Sequence, residues 1–472
     1  MPPPAFPGEL WLQVFSDVPQ DTLPAVSLTN NAFCQLARPL LFTHLDFHPY
    51  ASDVSDAGIA LVLPSPDEVA RSMERLRFWC SDAIAPHVRS IRISLWDRRT
   101  APWSAWAFSR TDAPFVLQDA LFAHLEHFTG LLRLSANCIA FTGTDLSSLC
   151  RVSALQHLHL SSCTVMAVEG LDLFGQTLAL SGFTNSTPLS LDPRLYVRPW
   201  LPLLRPEHLR ELHLDCVGPS AGPDFPRVRR LTINLNPIAD VNRNIAILSK
   251  FRNVEVLTIL KGGRWQGKLD GTYAIPAQES GLLPALKEFT GPCEYLSIAH
   301  RADLACLSVE VCSSAQLIAQ LERVWRPASI TSLYVNLEDL DDTALDAVFN
   351  LCPRLVELRI GAIIRTALQA ATFFRALPRV PSLPLTLKTL CIGSAGHNDD
   401  CGDARIRGSE LLTIRDMLVA RCAALGSLWL CAAGFTLLWR KSVDGTVHEA
   451  CVEDRGRAQH MLYGFDDFWE TR

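Results

Sequence analysis

The sequence has few charged residues and none of the short motifs that mark common enzyme sites. Charged residues make up 19% of the 472 positions, and the formal net charge is -6. A nucleic-acid-binding surface usually needs a basic stripe, which this balance of charge does not favour. No G-x-S-x-G, H-E-x-x-H or phosphate-loop pattern is present. We therefore expect neither an enzyme nor a nucleic-acid-binding protein, and no cofactor or metal ion.

Closely spaced cysteine pairs are also missing. The chain has 15 cysteines, an odd number, and none are spaced as C-x-x-C. This pattern is typical of buried, reduced thiols rather than of a disulfide framework or a zinc ribbon. The first residues include prolines and an acidic residue, where a signal peptide needs a basic stretch and an apolar run. These observations favour a cytoplasmic or nuclear protein.

One long segment, residues 422–439, contains no charged residue at all. Its length is near the minimum for a membrane-spanning helix. It also contains Gly426 and Gly434, and its leucines at 425, 428 and 430 have a spacing that is found throughout the chain. We therefore predict that it belongs to a repeat and that the protein has no membrane span.

The spacing in question is apolar-x-x-apolar-x-apolar, and it recurs along most of the chain. The last two positions, separated by one residue, lie on the same face of a strand, and the first lies in the turn before it. The close copies are Val88-Ile91-Ile93, Leu155-Leu158-Leu160, Leu209-Leu212-Leu214, Val228-Leu231-Ile233, Val254-Leu257-Ile259, Leu304-Leu307-Val309, Ile330-Leu333-Val335, Leu355-Leu358-Ile360, Leu387-Leu390-Ile392 and Leu425-Leu428-Leu430. Weaker copies are near Leu132-Leu134, Leu178-Leu180, Leu286-Phe289 and Leu296-Ile298.

Some segments between these copies have the spacing of amphipathic helices. Examples are residues 343–352 and 409–422. Strands that stack in parallel, each with a return segment after it, bury a common apolar face and pair their edges. The pattern resembles the leucine-rich-repeat superfamily, which implies an α/β solenoid with its parallel strands in a horseshoe or arc. Irregular gaps between copies predict an uneven repeat, and an α/β domain with unrelated parallel strands is the alternative.

The end of the chain predicts a β-hairpin and then a tail. Residues 435–441 and 446–452 have the character of strands, and Asp444-Gly445 between them favours a tight turn. Such a hairpin would cap the open edge of a solenoid. The segment 463–469 is aromatic and acidic. We expect it to pack under the cap, and a docking peptide is the alternative.

The first fifty residues predict three short helices. The first begins after Pro7, the second begins after Asp21 as its cap, and the third begins at Asn30 or Asn31. The third is expected to end at Arg38-Pro39, because proline disfavours a helical residue before it. Three helices this short bury too little surface to be stable without a partner or an adjoining domain.

The order of apolar residues in these helices resembles the F-box. The motif has Leu-Pro-x-Glu-Leu at the start of its first helix, a Val-Phe pair at the end, a leucine-rich second helix and an aromatic residue in the third. The matching positions are Pro7, Glu9, Leu10, Val14, Phe15, Leu23, Val26, Leu28 and Phe33. Residues 37–47 resemble the junction of fungal F-box/leucine-rich-repeat proteins. Phe6 replaces the usual leucine of the motif, and Asn30-Asn31 stand where a basic residue is common.

This resemblance implies a substrate-receptor subunit of a Skp–cullin–F-box ubiquitin ligase. The matching residues would bind a Skp-type adaptor, and through it a cullin–RING scaffold. The repeats would bind an unknown protein substrate. The alternative is a leucine-rich-repeat scaffold or sensor that binds a protein partner without coupling to ubiquitin ligation. The implied organisation is an F-box (1–47), a linker with a capping helix near 67–84 (48–87), irregular repeats (88–434), and the hairpin cap with its tail (435–472).

Candidate substrate-binding residues lie in two places. An insertion near 95–115 is rich in tryptophan and arginine, which are frequent at binding hot spots. Other candidates lie at strand positions that face away from the predicted core. The candidates are Trp96, Arg98, Arg99, Trp103, Trp106, Tyr334, Arg359 and Trp429. His157 and His159 share a strand face as metal ligands can, but no third ligand accompanies them locally.

Overall fold

A computed structural model describes the greater part of the chain. The described residues are 7–49, 51–55, 58–62, 65–94, 116–165, 177–186, 200–215, 223–235, 248–261, 282–299, 302–324, 326–340, 342–363, 367–395, 406–432, 435–442 and 444–453. Residue contacts divide the chain into two compact units. The first comprises residues 1–228 and 233–236, and the second comprises residues 229–232 and 237–472.

The first unit begins with three helices and continues as alternating strands and helices. Its elements are α1 (Gly8–Ser16), α2 (Leu23–Ser27), α3 (Asn31–Leu41), β1 (His44–Phe47), β2 (Ala51–Ser55), β3 (Gly58–Val62), α4 (Pro66–Trp79), β4 (Ser90–Ile93), α5 (Val116–Ala123), β5 (Arg133–Asn137), β6 (Ala140–Phe141), α6 (Gly143–Arg151), β7 (His157–Ser161), β8 (Thr164–Val165), β9 (Gly182–Ser186) and β10 (Glu211–Asp215). Short 3-10 helices occur at Ala85–His87, Leu125–His127 and Leu201–Leu203.

A parallel sheet with the strand order β1-β4-β5-β7-β9-β10 forms the body of the first unit. Strands β2 and β3 pair separately as an antiparallel ribbon, and β6 pairs with β8 in parallel. The sheet begins at β1, upstream of the first repeat copy in the sequence. Leu45 and Phe47 of β1 pair with Ile91 and Ile93 of β4, so the apolar pattern is already present there.

The second unit contains the longer part of the sheet. Its elements are β11 (Arg230–Leu235, divided between the two units), β12 (Val256–Lys261), β13 (Glu288–Gly291), β14 (Cys306–Cys312), α7 (Ser314–Leu321), β15 (Ser332–Leu337), α8 (Asp342–Leu351), β16 (Glu357–Ile363), α9 (Ala367–Ala376), β17 (Thr389–Ala395), α10 (Gly408–Arg421), β18 (Ser427–Ala432), β19 (Phe435–Lys441) and β20 (Val447–Glu453). Short 3-10 helices occur at Cys293–Ala299, Pro327–Ser329 and Leu377–Arg379. Strands β12 to β18 are parallel, and β19 and β20 come next as antiparallel neighbours.

The apolar repeat positions are what hold both parts of the sheet together. Every close copy of the pattern coincides with a strand, and all of its apolar side chains are at most 4% exposed. A fully buried leucine or isoleucine stabilises a fold by about 1.5–3 kcal/mol through removal of apolar surface from water. The architecture is therefore mixed α/β, with a long and mostly parallel sheet.

Two of the weaker copies do not form the predicted strands. Leu296 and Ile298 lie in a 3-10 helix, although both are buried. Leu178 makes an isolated bridge to Leu204, and the strand itself begins later, at Gly182. In that strand Phe183 and Asn185 are buried. Because Asn185 is polar but occupies a core position, the apolar sequence pattern did not match this strand.

The uncharged segment 422–439 contains all of β18 and the first five residues of β19. These strands are antiparallel neighbours, with Leu428 opposite Trp439. No helix among the described residues is long and apolar enough to cross a membrane. The lack of charge reflects burial in the sheet.

We call the buried apolar positions of the repeat pattern the apolar ladder. Its role can be tested at Leu358, which is fully buried in β16. We expect Leu358→Ala to lower the free energy of unfolding by about 2–5 kcal/mol, because it leaves a cavity in a packed core. The matched control is Leu385→Ala, since Leu385 is 76% exposed. The control should change stability by no more than about 0.5 kcal/mol. Equal effects of the two substitutions on urea unfolding would contradict the burial assignment.

Candidate functional site

The three N-terminal helices have a small hydrophobic core of their own. Phe15, Leu23 and Ala37 are buried at its centre, one from each helix. Trp11 and Phe33 pack against them, with ring centroids 4.8 Å apart, and the Phe15 and Phe33 rings meet edge to face at 5.3 Å. Tilted and edge-to-face aromatic pairs add to the stability gained from burial alone. These contacts fix the relative positions of the helices.

The helix ends partly agree with the sequence prediction. Asn30 caps α3, because its side chain accepts a hydrogen bond of 2.8 Å from the backbone N–H of Phe33. Asp21 does not cap α2, which begins after Thr22 without a side-chain cap. The prediction that α3 ends at Pro39 is wrong, since the helix continues to Leu41. Proline at this position removes one helical hydrogen bond, and the Thr43 hydroxyl donates to the Pro39 carbonyl oxygen at 2.7 Å.

The helices connect directly to the first strand of the sheet. The Thr43 carbonyl oxygen, just before β1, accepts from the backbone N–H of Arg89 and of Ser90. The Phe42 ring packs on the rings of Phe78 and Trp79 in α4, at centroid distances of 5.6 and 5.3 Å. A partner that docks on the helices would therefore be held at a defined place relative to the first strands.

Several apolar side chains of these helices point to solvent and take no part in the core. Leu10 and Val14 are 43% and 45% exposed and lie one turn apart on α1. Leu28, at the end of α2, is 86% exposed. We call Leu10, Val14 and Leu28 the exposed apolar set. Because these side chains take no part in the internal core, a partner can cover them without disturbing that core. Exposed apolar side chains of this kind suit a docking surface.

The nine residues predicted to bind an adaptor all lie in this helical unit, but they divide by burial. Pro7, Glu9 and the exposed apolar set face solvent. Val26 and Phe33 are half-buried against the core. Phe15 and Leu23 are 3% and 4% exposed, so they build the core and have no free surface for a partner.

The second candidate surface lies on the sheet of the second unit. It is the face formed by the residues that alternate with the apolar ladder. We call it the open face. Tyr334 and Arg359 are directly paired on β15 and β16. Glu357 joins them, because its carboxylate accepts from the Tyr334 hydroxyl at 2.6 Å and from Arg359 Nε at 2.8 Å. The Arg359 guanidinium carbon lies 5.2 Å from the centre of the Tyr334 ring. The structure therefore brings two of the predicted substrate-binding residues together.

These contacts shift the protonation of the cluster. Burial raises the pKa of Tyr334, and the hydrogen bond to Glu357 and the charge of that carboxylate raise it further. Burial alone would lower the pKa of Arg359, but the hydrogen bond to Glu357 and its charge raise it overall. Tyr334 and Arg359 thus stay protonated at neutral pH. The cluster presents fixed hydrogen-bond donors and acceptors.

The remaining substrate-binding candidates are not brought to this cluster. Trp429 faces the same side of the sheet but is 3% exposed, packed with Cys391, Cys431 and Leu438. Trp429 is therefore buried, and its role in substrate binding stays a prediction. Residues 95–115 lie outside the described residues, and these include the candidates Trp96, Arg98, Arg99, Trp103 and Trp106.

The histidines and cysteines of the described residues show no metal site. His157 and His159 are both exposed on one face of β7, as predicted. Partial burial of the His159 ring and the nearby His213 lower the pKa of His159. Among the described residues no group of three or more histidine, cysteine or acidic side chains could hold a metal ion. No disulfide bond joins the described cysteines at positions 34, 80, 138, 150, 163, 293, 306, 312, 352, 391, 422 and 431.

No family model and no curated protein match this sequence. Among solved structures, the chain is similar to a protein chain in a crystal structure of a TLR13–ssRNA13 complex. The sequence identity is 12%, the TM-score is 0.32, and the alignment covers 74% of this chain. It covers 53% of the other chain, so the present chain spans about half the length of that structure.

The electrostatics of the open face can be tested through Cys306, which pairs with Glu288 across β13 and β14. Burial, with the charges of Glu288 and Glu357, raises the pKa of the Cys306 thiol to about 11. Only the thiolate reacts with iodoacetamide, so alkylation of Cys306 should increase as the pH rises from 7 to 11. We expect Glu288→Gln and Glu357→Gln each to accelerate the alkylation of Cys306 at pH 8. The extent of alkylation of each cysteine-containing peptide is measured by mass spectrometry.

Cys80 serves as an internal control for this experiment. Its pKa is also raised to about 11, but by burial alone. Its alkylation rate should be the same in the parent protein and in both variants. If Cys306 showed no change in either variant, the two carboxylates would not set its pKa.

Proposed function

We propose that this chain is the substrate-receptor subunit of a Skp–cullin–F-box ubiquitin ligase. The N-terminal helices dock a Skp-type adaptor, and the adaptor joins the chain to a cullin–RING scaffold. The open face of the sheet binds a protein substrate. In this role the chain does no covalent chemistry and contributes proximity, because it holds the substrate near an enzyme carried by its partners.

The exposed apolar set is the observation that carries the proposal. Phe15, Leu23 and Ala37 already form the core of the helical unit, so its fold does not need Leu10, Val14 and Leu28 to be covered. Each of these side chains would gain up to about 1.5–3 kcal/mol if a partner buried it fully. All three occupy positions of the F-box pattern in the sequence.

The substrate-binding role of the open face rests on the cluster around Glu357. The Glu357 side chain is 22% exposed and the Arg359 side chain is 26% exposed, so both are accessible. The hydrogen bond between them fixes their geometry. Side chains that are already ordered lose less conformational entropy when a partner binds. The arrangement favours recognition of a protein surface with polar groups.

The runner-up is a leucine-rich-repeat scaffold or sensor without coupling to ubiquitin ligation. In that case the exposed apolar set would bind a different partner, and the open face would still bind proteins. The two functions differ in whether the chain binds a Skp-type adaptor.

A binding measurement with a purified fungal Skp-type adaptor separates these functions. We expect the parent protein to bind and Leu10→Asp plus Leu28→Asp to weaken binding on the order of 30-fold or more, as for the loss of an interface hot spot. Both leucines are exposed, so the double variant should keep the thermal stability of the parent protein.

The matched control is Leu385→Asp, an equally simple change at a leucine that is 76% exposed in the second unit. It should bind the adaptor like the parent protein. Full binding by the double variant would show that the adaptor surface lies elsewhere. Failure of the folded parent protein to bind would favour the scaffold function.

A further inference from the structure

The sheet of the first unit has a polar surface of its own, formed by the residues that alternate with its apolar ladder. On the three neighbouring strands β4, β5 and β7, the exposed residues of this surface are arginines and histidines. We call Arg92, Arg133, His157 and His159 the basic patch. The other residues that these three strands place on the surface are uncharged, namely Ser90, Ser135, Asn137 and Ser161.

Strand register arranges the basic patch in two rows. In one row Arg133 pairs directly with His157, and in the other Ser135 lies between Arg92 and His159. The two rows are two residues apart along each strand, about 6.6 Å. The three strands span two strand spacings, about 9.5 Å. Four groups that carry or can gain a positive charge therefore lie within a small area.

Neighbouring residues hold the imidazole of His157 in place. The ring lies over Gly182 of β9, since a Cβ atom at that position would be 2.5 Å from Nδ1 of His157. The Ser181 hydroxyl lies 3.4 Å from Nε2 of the same ring. The glycine therefore leaves room for an exposed ring on the surface of the sheet. A ring that is already ordered loses less conformational entropy when it binds a partner.

Carboxylates border the basic patch on both sides. Asp46 of β1 is in register with Arg92, and Glu211 and Asp215 belong to β10, two strands away from β7. A nucleic-acid backbone, which proteins commonly bind through roughly 6–10 phosphate contacts, would meet these carboxylates at both ends. A ligand with two or three anionic groups fits between them.

We propose that the basic patch binds an extended protein segment that carries carboxylate side chains. Side chains on the same face of an extended segment are two residues, or about 6.6 Å, apart. This distance equals the separation of the two rows, so successive carboxylates can contact Arg133 with His157 and Arg92 with His159. Guanidinium groups bind carboxylates through two parallel hydrogen bonds. The basic patch is separate from the open face of the second unit.

The affinity for such a segment should rise as the pH falls. Burial and the nearby His213 lower the pKa of His159 in the free protein. A bound carboxylate favours the protonated ring and raises this pKa, so the gain in affinity is present below the raised pKa and is lost as the pH rises through it. Glutamate side chains stay charged down to about pH 5. The charged or titratable groups that face the two imidazoles are Arg92 of β4, Arg133 of β5, and Glu211, His213 and Asp215 of β10.

The proposal can be tested with a fluorescein-labelled peptide of twelve residues in which glutamate alternates with serine. We expect the full chain to bind it at pH 6.5, and to bind the same peptide with glutamine in place of glutamate at least about tenfold more weakly, through loss of the charge pairs. Equal binding of the two peptides would overturn the proposal. Tighter binding of a single-stranded oligonucleotide with the same number of charges would also overturn it, in favour of nucleic acid.

Substitutions locate the binding to the patch. Arg133→Gln should weaken binding of the glutamate peptide about fivefold, and Arg92→Gln plus Arg133→Gln at least about tenfold. Arg133→Lys keeps the charge and should bind within about twofold of the parent protein. The matched control is Arg151→Gln, because the Arg151 side chain is 59% exposed on α6, outside this surface. Full binding by the double variant, or equal losses in Arg133→Lys and Arg133→Gln, would overturn the proposal.

The role of the histidines has a separate measurement. The parent protein should bind the glutamate peptide about threefold or more tightly at pH 6.0 than at pH 7.5. His157→Gln plus His159→Gln should abolish this difference, whereas the control His127→Gln, at an exposed position of a 3-10 helix, should retain it. An unchanged pH response in the double variant would overturn the role of the two imidazoles. Adaptor binding takes no part in these measurements, so their outcome is independent of the proposed ligase role.

Discussion

Burial of one apolar face along the whole sheet is the constraint on which the rest of the structure depends. Most strands contribute two apolar side chains to this face, and a third lies in the turn before the strand. A single strand cannot remove these side chains from water, but a row of parallel strands can. The residues that alternate with the buried ones are left for the other face. The composition of that face is therefore free to vary with function.

The composition of the open face changes along the second unit. Tyr334, Glu357 and Arg359 form a partly exposed polar cluster held by hydrogen bonds. Further along, Trp429 and Leu438 make the same face apolar and buried. Strands that are buried on both faces have nearly continuous apolar sequences. This explains the uncharged segment 422–439, which has the composition of a membrane span but forms two strands.

Periodicity in the sequence predicted most of the strands and the last turn. The close copies of the pattern mark strands, and Asp444-Gly445 marks the turn between β19 and β20, where Gly445 has a φ of +85°. Periodicity could not predict Asn185, because burial of that polar side chain depends on its neighbours in space. It also could not show that α3 continues through Pro39 to Leu41.

The candidate sites were predictable to a smaller extent, because they too depend on neighbours in space. A pattern of apolar residues does not tell which of them pack inward when three short helices meet. Phe15 and Leu23 are core residues, whereas Leu10, Val14 and Leu28 are exposed. On the sheet, alternation assigned Trp429 to the correct face, but the burial of that face depends on residues distant in sequence.

The central claim is that the apolar ladder is buried throughout, whereas burial of the open face varies along the sheet. Hydroxyl-radical footprinting of the full chain, read residue by residue, tests this claim most directly. We expect Trp429 and Leu438 to be protected as strongly as Leu428 and Leu430 of the ladder, and Tyr334 to be oxidised readily because it is partly exposed. Oxidation of Trp429 at the rate of an exposed tryptophan, or protection of Tyr334 equal to that of Leu428, would contradict this division.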